Sequence, residues 1–304
     1  MKPLKKINAR DFSVKPGKEV NLKKTDTKPA NNDLSKDDAK RMLEESRNYL
    51  AEIQDKFYAH NKYSVLIILQ AMDAAGKDGA VKHIMSGFNP LGVKVYSFKA
   101  PNSQELDHNY FWRHELALPA RGEIVIHNRS HYENVLVTRV HPEFIMNENI
   151  PGIDTVDKID KAFWKERFKQ IRRFEKNLTA NGTIVLKFFL HLSKEEQKKR
   201  FIERIDDPAK NWKFSMADIK ERGFWDDYQK AYEEAIHETN TDDAPWFIIP
   251  ADDKSYARLA IASVITSELD KLTLSYPELP AEEKAALQNA KAQLMSEKSE
   301  KKKK

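Results

Sequence analysis

Cysteine is absent from the 304 residues, which excludes disulfides, thiolate zinc sites and cysteine nucleophiles. That absence fits the cytoplasm, which is the expected location. No run of about 18 apolar residues occurs, so no membrane-spanning helix is available. The opening stretch MKPLKKINARDFSVKPGKEV has basic residues with no apolar block behind them, which argues against a signal peptide. Excess charge is also scarce. The formal net charge is +5, but Lys301–Lys304 carry four of those charges and the rest of the chain carries +1. Bulk charge therefore gives no argument for a nucleic-acid partner, and any anion site must come from local clustering. There is no internal repeat, and the nine histidines show no H-E-x-x-H or other metal spacing. His127 and His131 are assigned no chemistry.

What is present is an ordinary globular composition, 40% hydrophobic and 33% charged, long enough for one large α/β domain. Residues 1–34 mix Lys, Asn, Asp, Thr and Pro without periodicity and read as an irregular arm. Ser35 and Asp38 resemble a capping box, and Met42, Tyr49, Leu50, Ile53 and Phe57 follow at helical spacing. Strands are expected at Val65–Leu69, Val93–Phe98, Glu123–His127, Thr183–Leu192 and Trp246–Pro250. Between them VKHIMSGF reads as a helix, and TVDKIDKAFWKERFKQIRRFEKNL as a long amphipathic one with Val156, Ile159 and Phe163 on its apolar face. A polar helical segment follows at KEEQKKRFIERIDDPAKNWKFSMADIKER. Short buried strands alternating with helices predict a three-layer α/β/α domain with a parallel sheet. The expected boundaries are 35–275 for the domain, about 194–230 for a helical lid, and 276–304 for a charged helix ending in the Lys tail.

The segment SVLIILQAMDAAGKDGAVKH carries the chemistry. The usual phosphate-binding signature is G-x-x-x-x-G-K-[ST] between a strand and a helix. Gly76 and Lys77 are present, while Ala71 stands in the first glycine's place and Asp78 in that of the Ser/Thr. The physical need is for backbone N–H groups converging at a helix N-terminus, small residues and one cation. Ala74, Ala75, Gly76 and Gly79 are small, and Lys77 is the cation. Asp73 offers the oxygen for a magnesium ion that the missing Ser/Thr would have supplied. The residues alone leave open a glycine-rich turn with an exposed lysine.

MDAAGKDG, together with HNRSHYENVLVTRVHP, GFNPLGVKVYSFKAP, ELDHNYFWRHELALPARGEI and DDPAKNWKFSMADIKER, resembles the polyphosphate kinase 2 family of P-loop kinases. The likeness runs over about residues 60–250 in the family's order. It implies a thymidylate-kinase-like fold with a helical lid and Mg²⁺-dependent phosphoryl transfer between inorganic polyphosphate and nucleotides, with Mn²⁺ as the alternative ion. By the same resemblance Asp73 is a metal-binding and catalytic acid and Lys77 the loop lysine. The chain departs from the family at Ala71, where Gly is usual, and at Asn128, where the second motif normally begins Asp-Arg-Ser. Asn128 with Glu133 resembles the family's third class, which is associated with both AMP and ADP as acceptors. Both residues are read on the acceptor side, and the resemblance further suggests a homo-oligomer.

Phosphoryl transfer asks mainly for positioning and positive charge. Arg129, after the third strand, is the candidate clamp on the moving phosphate, and Arg113 in FWRH a second one on the nucleotide side. In the lid, Arg200 and Arg204 share a helix face and Lys210 follows; Lys82 lies one turn beyond Lys77. All four are expected to contact a phosphate chain, with the backbone of Ala74–Gly79 holding its reacting end. Two rivals remain at this point: an ATP-dependent nucleoside monophosphate kinase, and a catalytically inactive polyanion-binding protein.

Overall fold

A computed structural model of the chain describes residues 7–29 and 34–296. In chain order its elements are α1 (Lys36–His60), β1 (Ser64–Ala71), α2 (Lys77–Met85), β2 (Val93–Ser97), α3 (Ser103–Leu106), α4 (Trp112–Glu115), β3 (Ile124–Asn128), α5 (Glu133–Val140) and α6 (Lys161–Ala180). There follow β4 (Thr183–His191), α7 (Lys194–Asp206), α8 (Met216–Gly223), α9 (Trp225–Thr239), β5 (Trp246–Pro250), α10 (Lys254–Leu269) and α11 (Ala281–Ser296). The five strands form one parallel sheet in the order β2-β3-β1-β4-β5.

The period of two along β1 explains the three layers. Val65, Ile67 and Leu69 pack on one face with α1, α2 and α10, while Leu66 and Ile68 pack on the other with α5, α6 and α9. All five side chains are fully buried, each contributing about 1.5–3 kcal/mol of transfer free energy. α1 starts where Ser35 accepts from the Asp38 N–H, and it buries Met42, Leu50, Ile53 and Phe57 against the sheet.

Three expectations need correcting. The arm is irregular and mostly exposed, but a few of its side chains reach the core: Ile7 and Phe12 pack with α10, Leu22 packs on the other face, and Ser13 bridges to Phe247. The long amphipathic helix begins at Lys161, because Asp160 caps it by accepting from the Phe163 N–H, so Val156 and Ile159 lie outside it. The helices α9 and α10 were not anticipated. α10 is apolar nearly all round and buried along most of its length, so it shows no helical stripe. Among the described residues no helix is long and apolar enough to cross a membrane. α11 is exposed along its whole length, and Lys301–Lys304 lie outside the described residues.

Behind β3 and β4 sits a polar cluster sealed from solvent. Lys187 Nζ donates to Glu175 Oε2 at 2.6 Å, to the Thr239 carbonyl at 2.8 Å and to Tyr132 Oη at 3.2 Å. Tyr132 Oη donates to Glu175 Oε1 at 2.8 Å, so the carboxylate is held from both sides. Lys187 draws Glu175 below the usual carboxylate range despite its burial. Removing one partner strands a buried charge, so Glu175→Ala should cost about 3–5 kcal/mol in urea unfolding. Glu175→Leu combined with Lys187→Met should cost far less; equal losses in the single and double variants would show that the pair is not sealed.

The buried histidines define an acid-sensitive window. Burial holds His83 and His127 down to about 4, the former also because Arg258 and Arg47 are near. Burial lowers His114 and His131 as well. The unfolded chain takes up these protons near pH 6.5, whereas the folded chain resists them, His83 and His127 until about 4. Stability is therefore full above 6.5 and falls as pH drops through that interval. The urea midpoint should decline between pH 6.5 and 4.5, and His114→Phe should make the decline shallower; a midpoint flat across that range would contradict this.

Candidate active site

The β1–β3 pairing decides which residues meet. Leu69 lies opposite Asn128, and the Arg129 N–H donates to the Leu69 carbonyl at 3.2 Å. The turn after β1 and the turn after β3 therefore emerge side by side at the sheet's C-terminal edge, where α/β sheets bind ligands. In the first turn Ala74 has φ +62° and Gly76 φ +105°. Gly76 caps α2 without a side-chain hydrogen bond, which leaves first-turn N–H groups and the helix dipole facing outward. Lys77 curls back over the turn, its Nζ donating to the Ala71 carbonyl at 2.7 Å. Burial lowers its pKa, and Asp73 is the largest influence opposing that fall.

Arg129 also adopts a left-handed backbone, φ +65°, and its Nη2 donates to Asp73 Oδ1 at 3.1 Å. A non-glycine residue held there is a costly feature of the kind that collects at functional sites. Burial opposes the Arg129 charge, but Glu133 and Asp73 outweigh it and keep the guanidinium more basic than usual. Glu133, at the start of α5, is raised by burial and pulled back by Arg129 and Lys77. Four groups of alternating sign thus converge: Lys77, Asp73, Arg129 and Glu133. The two departures from the usual motifs also meet, since Asn128 Nδ2 donates to Asp78 Oδ1 at 3.0 Å.

Beside this cluster a cleft of about 310 Å³ opens between the end of β2 and α5. Its walls include Phe98, Pro101, His108 and Phe144, with Arg129 and Glu133 at the end nearest the turn. Arg113 lines it too, donating to the Lys99 carbonyl at 2.9 Å and to Glu105 Oε2 at 3.2 Å, its guanidinium 5.4 Å from the centre of the Phe98 ring. Tyr110 lies under the Arg167 guanidinium at 4.2 Å and donates to Gln170.

The cations expected to contact phosphate are differently placed. Lys82 is exposed on α2, one turn beyond Lys77. Arg204 reaches Asp218 Oδ2 at 3.5 Å and so ties α7 to α8, while Lys210 pairs with Asp207 on the exposed turn between them. Arg200 departs most from expectation. Its side chain is buried, and every N–H it has is directed at a protein acceptor, so it offers no free donor to a phosphate. Sequence reasoning missed Gln197, whose Nε2 donates to the Asp73 carbonyl at 2.9 Å, and Asp218, whose carboxyl is raised by burial and then by Asp73. Asp218 lies within a stretch that carried the family resemblance; Gln197 had no signal beyond its place on the lid helix.

For a divalent cation the donor set is one of hard oxygens. Asp73 is about one-third exposed, and Asn128 Oδ1 is buried without a hydrogen-bond partner. No group of three or more His, Asp or Glu able to enclose a metal occurs among the described residues. One carboxylate with substrate phosphates and water is how Mg²⁺ is ordinarily held, so these residues fit it.

Comparison with known proteins agrees with this geometry. The family described as polyphosphate kinase 2 (PPK2) matches residues 33–276. An ADP-polyphosphate phosphotransferase of Rhodopseudomonas palustris is 48% identical over 93% of this chain and 97% of its own length. An AMP/ADP-polyphosphate phosphotransferase of Meiothermus ruber is 44% identical over 75% of this chain and 80% of its own. The crystal structure of polyphosphate kinase 2 from Arthrobacter aurescens TC1 superposes with a TM-score of 0.82 at 38% identity, over 92% of this chain and 96% of that one. With its five-stranded parallel sheet flanked by helices, the chain belongs to the polyphosphate kinase 2 family.

Proposed function

We propose that this protein moves a phosphoryl group between inorganic polyphosphate and AMP or ADP, giving ADP or ATP, reversibly and with Mg²⁺ or Mn²⁺. The carrying observation is the convergence of Lys77, Asp73 and Arg129 at the N-terminus of α2, beside an aromatic-walled cleft. The first-turn amides and Lys77 take the reacting end of the phosphate chain, and Arg129 spans from that end toward the acceptor. The cleft takes the nucleotide, its base against Phe98 or Phe144 and its phosphate toward Arg129, with Arg113, Asn128 and Glu133 bordering it. Asp73 would hold the divalent cation, which when bound neutralises phosphate charge. No general-base histidine is needed, because a nucleotide phosphate is already ionised near neutral pH.

The cysteine-free composition supports a cytoplasmic location. Exposed apolar side chains on α11, Leu287, Leu294 and Met295 among them, support assembly into a homo-oligomer.

Purified protein incubated with Mg²⁺, long-chain polyphosphate and either AMP or ADP should yield ADP and ATP, followed by chromatography. Lys77→Ala and Asp73→Ala should each lower kcat/KM by about a hundredfold or more. ATP should fail to replace polyphosphate as efficient donor to AMP. Polyphosphate binding without product from either acceptor would leave the inactive polyanion-binding protein as the answer.

Phe144, 47% exposed at the rim of the cleft, tests the acceptor side. Loss of base stacking costs about 1–3 kcal/mol, so Phe144→Ala should raise KM for AMP and ADP about tenfold. KM for polyphosphate should stay as it was; a rise confined to the donor would place the nucleotide elsewhere.

A further inference from the structure

Three consecutive carbonyls of the phosphate loop are held from behind by one helix. Gln197 Nε2 on α7 donates to the Asp73 carbonyl at 2.9 Å. One turn further on, Arg200 Nη1 donates to the carbonyls of Ala74 and Ala75, at 3.1 and 2.9 Å. Arg200 Nη2 reaches the carbonyls of Ala251 and Asp252, at 2.7 and 3.0 Å, and Nε reaches Glu196 Oε1 at 2.8 Å. A guanidinium has five N–H hydrogens, and these five contacts use them all. The side chain is 4% exposed.

We propose that Arg200 is a positioning residue which braces the phosphate loop by its carbonyls, rather than a ligand of the donor's phosphates. This rests on the reading of that loop as the donor-phosphate site. Planarity of the peptide unit sets the Gly76 N–H opposite the Ala75 carbonyl, so fixing that carbonyl on the Arg200 side turns the N–H away from it. Ala74 is held at φ +62°, a left-handed conformation that an L-residue leaves unless its surroundings over-determine it. Arg200 supplies that constraint through the carbonyl of this same residue. The far side of the brace is firm as well: Asp252 Oδ1 accepts from the Ser193 N–H at 2.8 Å, joining the root of α7 to the turn after β5. The loop, the lid root and the turn before α10 are therefore one unit with Arg200 at its centre, and a lysine with three donors on a single nitrogen cannot span it.

The test compares Arg200→Ala and Arg200→Gln, each with and without Ala74→Gly, against Lys77→Ala. Turnover with AMP and ADP and the salt dependence of polyphosphate binding are measured on the same preparations. Arg200→Ala should lower kcat about tenfold or more through misplacement of the loop. The slope of log K against log salt should match the parent protein's, because no phosphate contact is lost, whereas Lys77→Ala should flatten it by about one unit. Glycine holds the left-handed conformation without strain, so Ala74→Gly should restore about fivefold of the lost kcat in either Arg200 background. Arg200→Gln keeps much of the side chain's volume and should show the same pattern if Arg200→Ala proves too unstable to purify. A slope flattened by about one unit, or an unchanged slope with no recovery from Ala74→Gly, would overturn the assignment. Parent turnover in the same assay separates that failure from failure of the kinase reading.

Discussion

The site depends first on the register between β1 and β3. With Leu69 opposite Asn128, the chain leaves both strands at one level, and Asp73 and Arg129 come within hydrogen-bond distance. A slip of one residue would turn every β3 side chain to the opposite face of the sheet. That register is well defended. Val125 and Ile126 are fully buried on opposite faces, and the sealed Lys187–Glu175–Tyr132 cluster grips the segment just past Arg129. A buried ion pair adds little net stability over apolar packing, but its hydrogen bonds hold Tyr132, three residues past Arg129.

Charge at the site is arranged to be exchanged. Lys77 is bonded to loop carbonyls, Arg129 to Asp73, and Glu133 lies under the influence of both cations. On the proposed reading an arriving phosphate takes over these cations, whose present partners are weaker or partly exposed; Asp73 and Arg129 are 32% and 42% exposed. Water can compensate the groups that are released. Arg200 stands apart, since its partners include the buried carbonyls of Ala75 and Ala251, which would lose their donor if the side chain left. The cations of the site thus differ in what holds them.

The strands and the phosphate loop were legible because their signals are local. Val65–Leu69 is an unbroken apolar run, and AAGKDG concentrates small residues around a lysine just after it. Helix α10 escaped because ARLAIASVITSEL has no polar stripe to set its period, being buried on almost every side. α6 was drawn too long at its start because Val156 and Ile159 happen to continue the spacing beyond the Asp160 cap. The surroundings of Arg200 were not legible for another reason. Charge and helical spacing show that Arg200 and Arg204 share a face, but not whether that face meets solvent, ligand or backbone. The carbonyls that engage Arg200 lie more than a hundred residues before it or some fifty after it, and no local pattern records them.

The two motif departures make sense only in space. Asp78 and Asn128 are fifty residues apart in sequence, and each alone looks like a defect in a phosphate-binding motif. In the fold the Asn128 amide donates to the Asp78 carboxylate at 3.0 Å. A carboxylate at both positions would set two like charges at hydrogen-bond distance beside a site that must already receive polyanions, a large repulsion even in a fairly polar medium. With an amide at 128 the contact becomes attractive, and the buried Oδ1 is left directed away from its donor group as an additional neutral oxygen. Asp78 in the first turn of α2 is in turn favoured by the helix dipole. Asp78 in one motif and Asn128 in the other are therefore a matched pair, joined across the gap between β1 and β3.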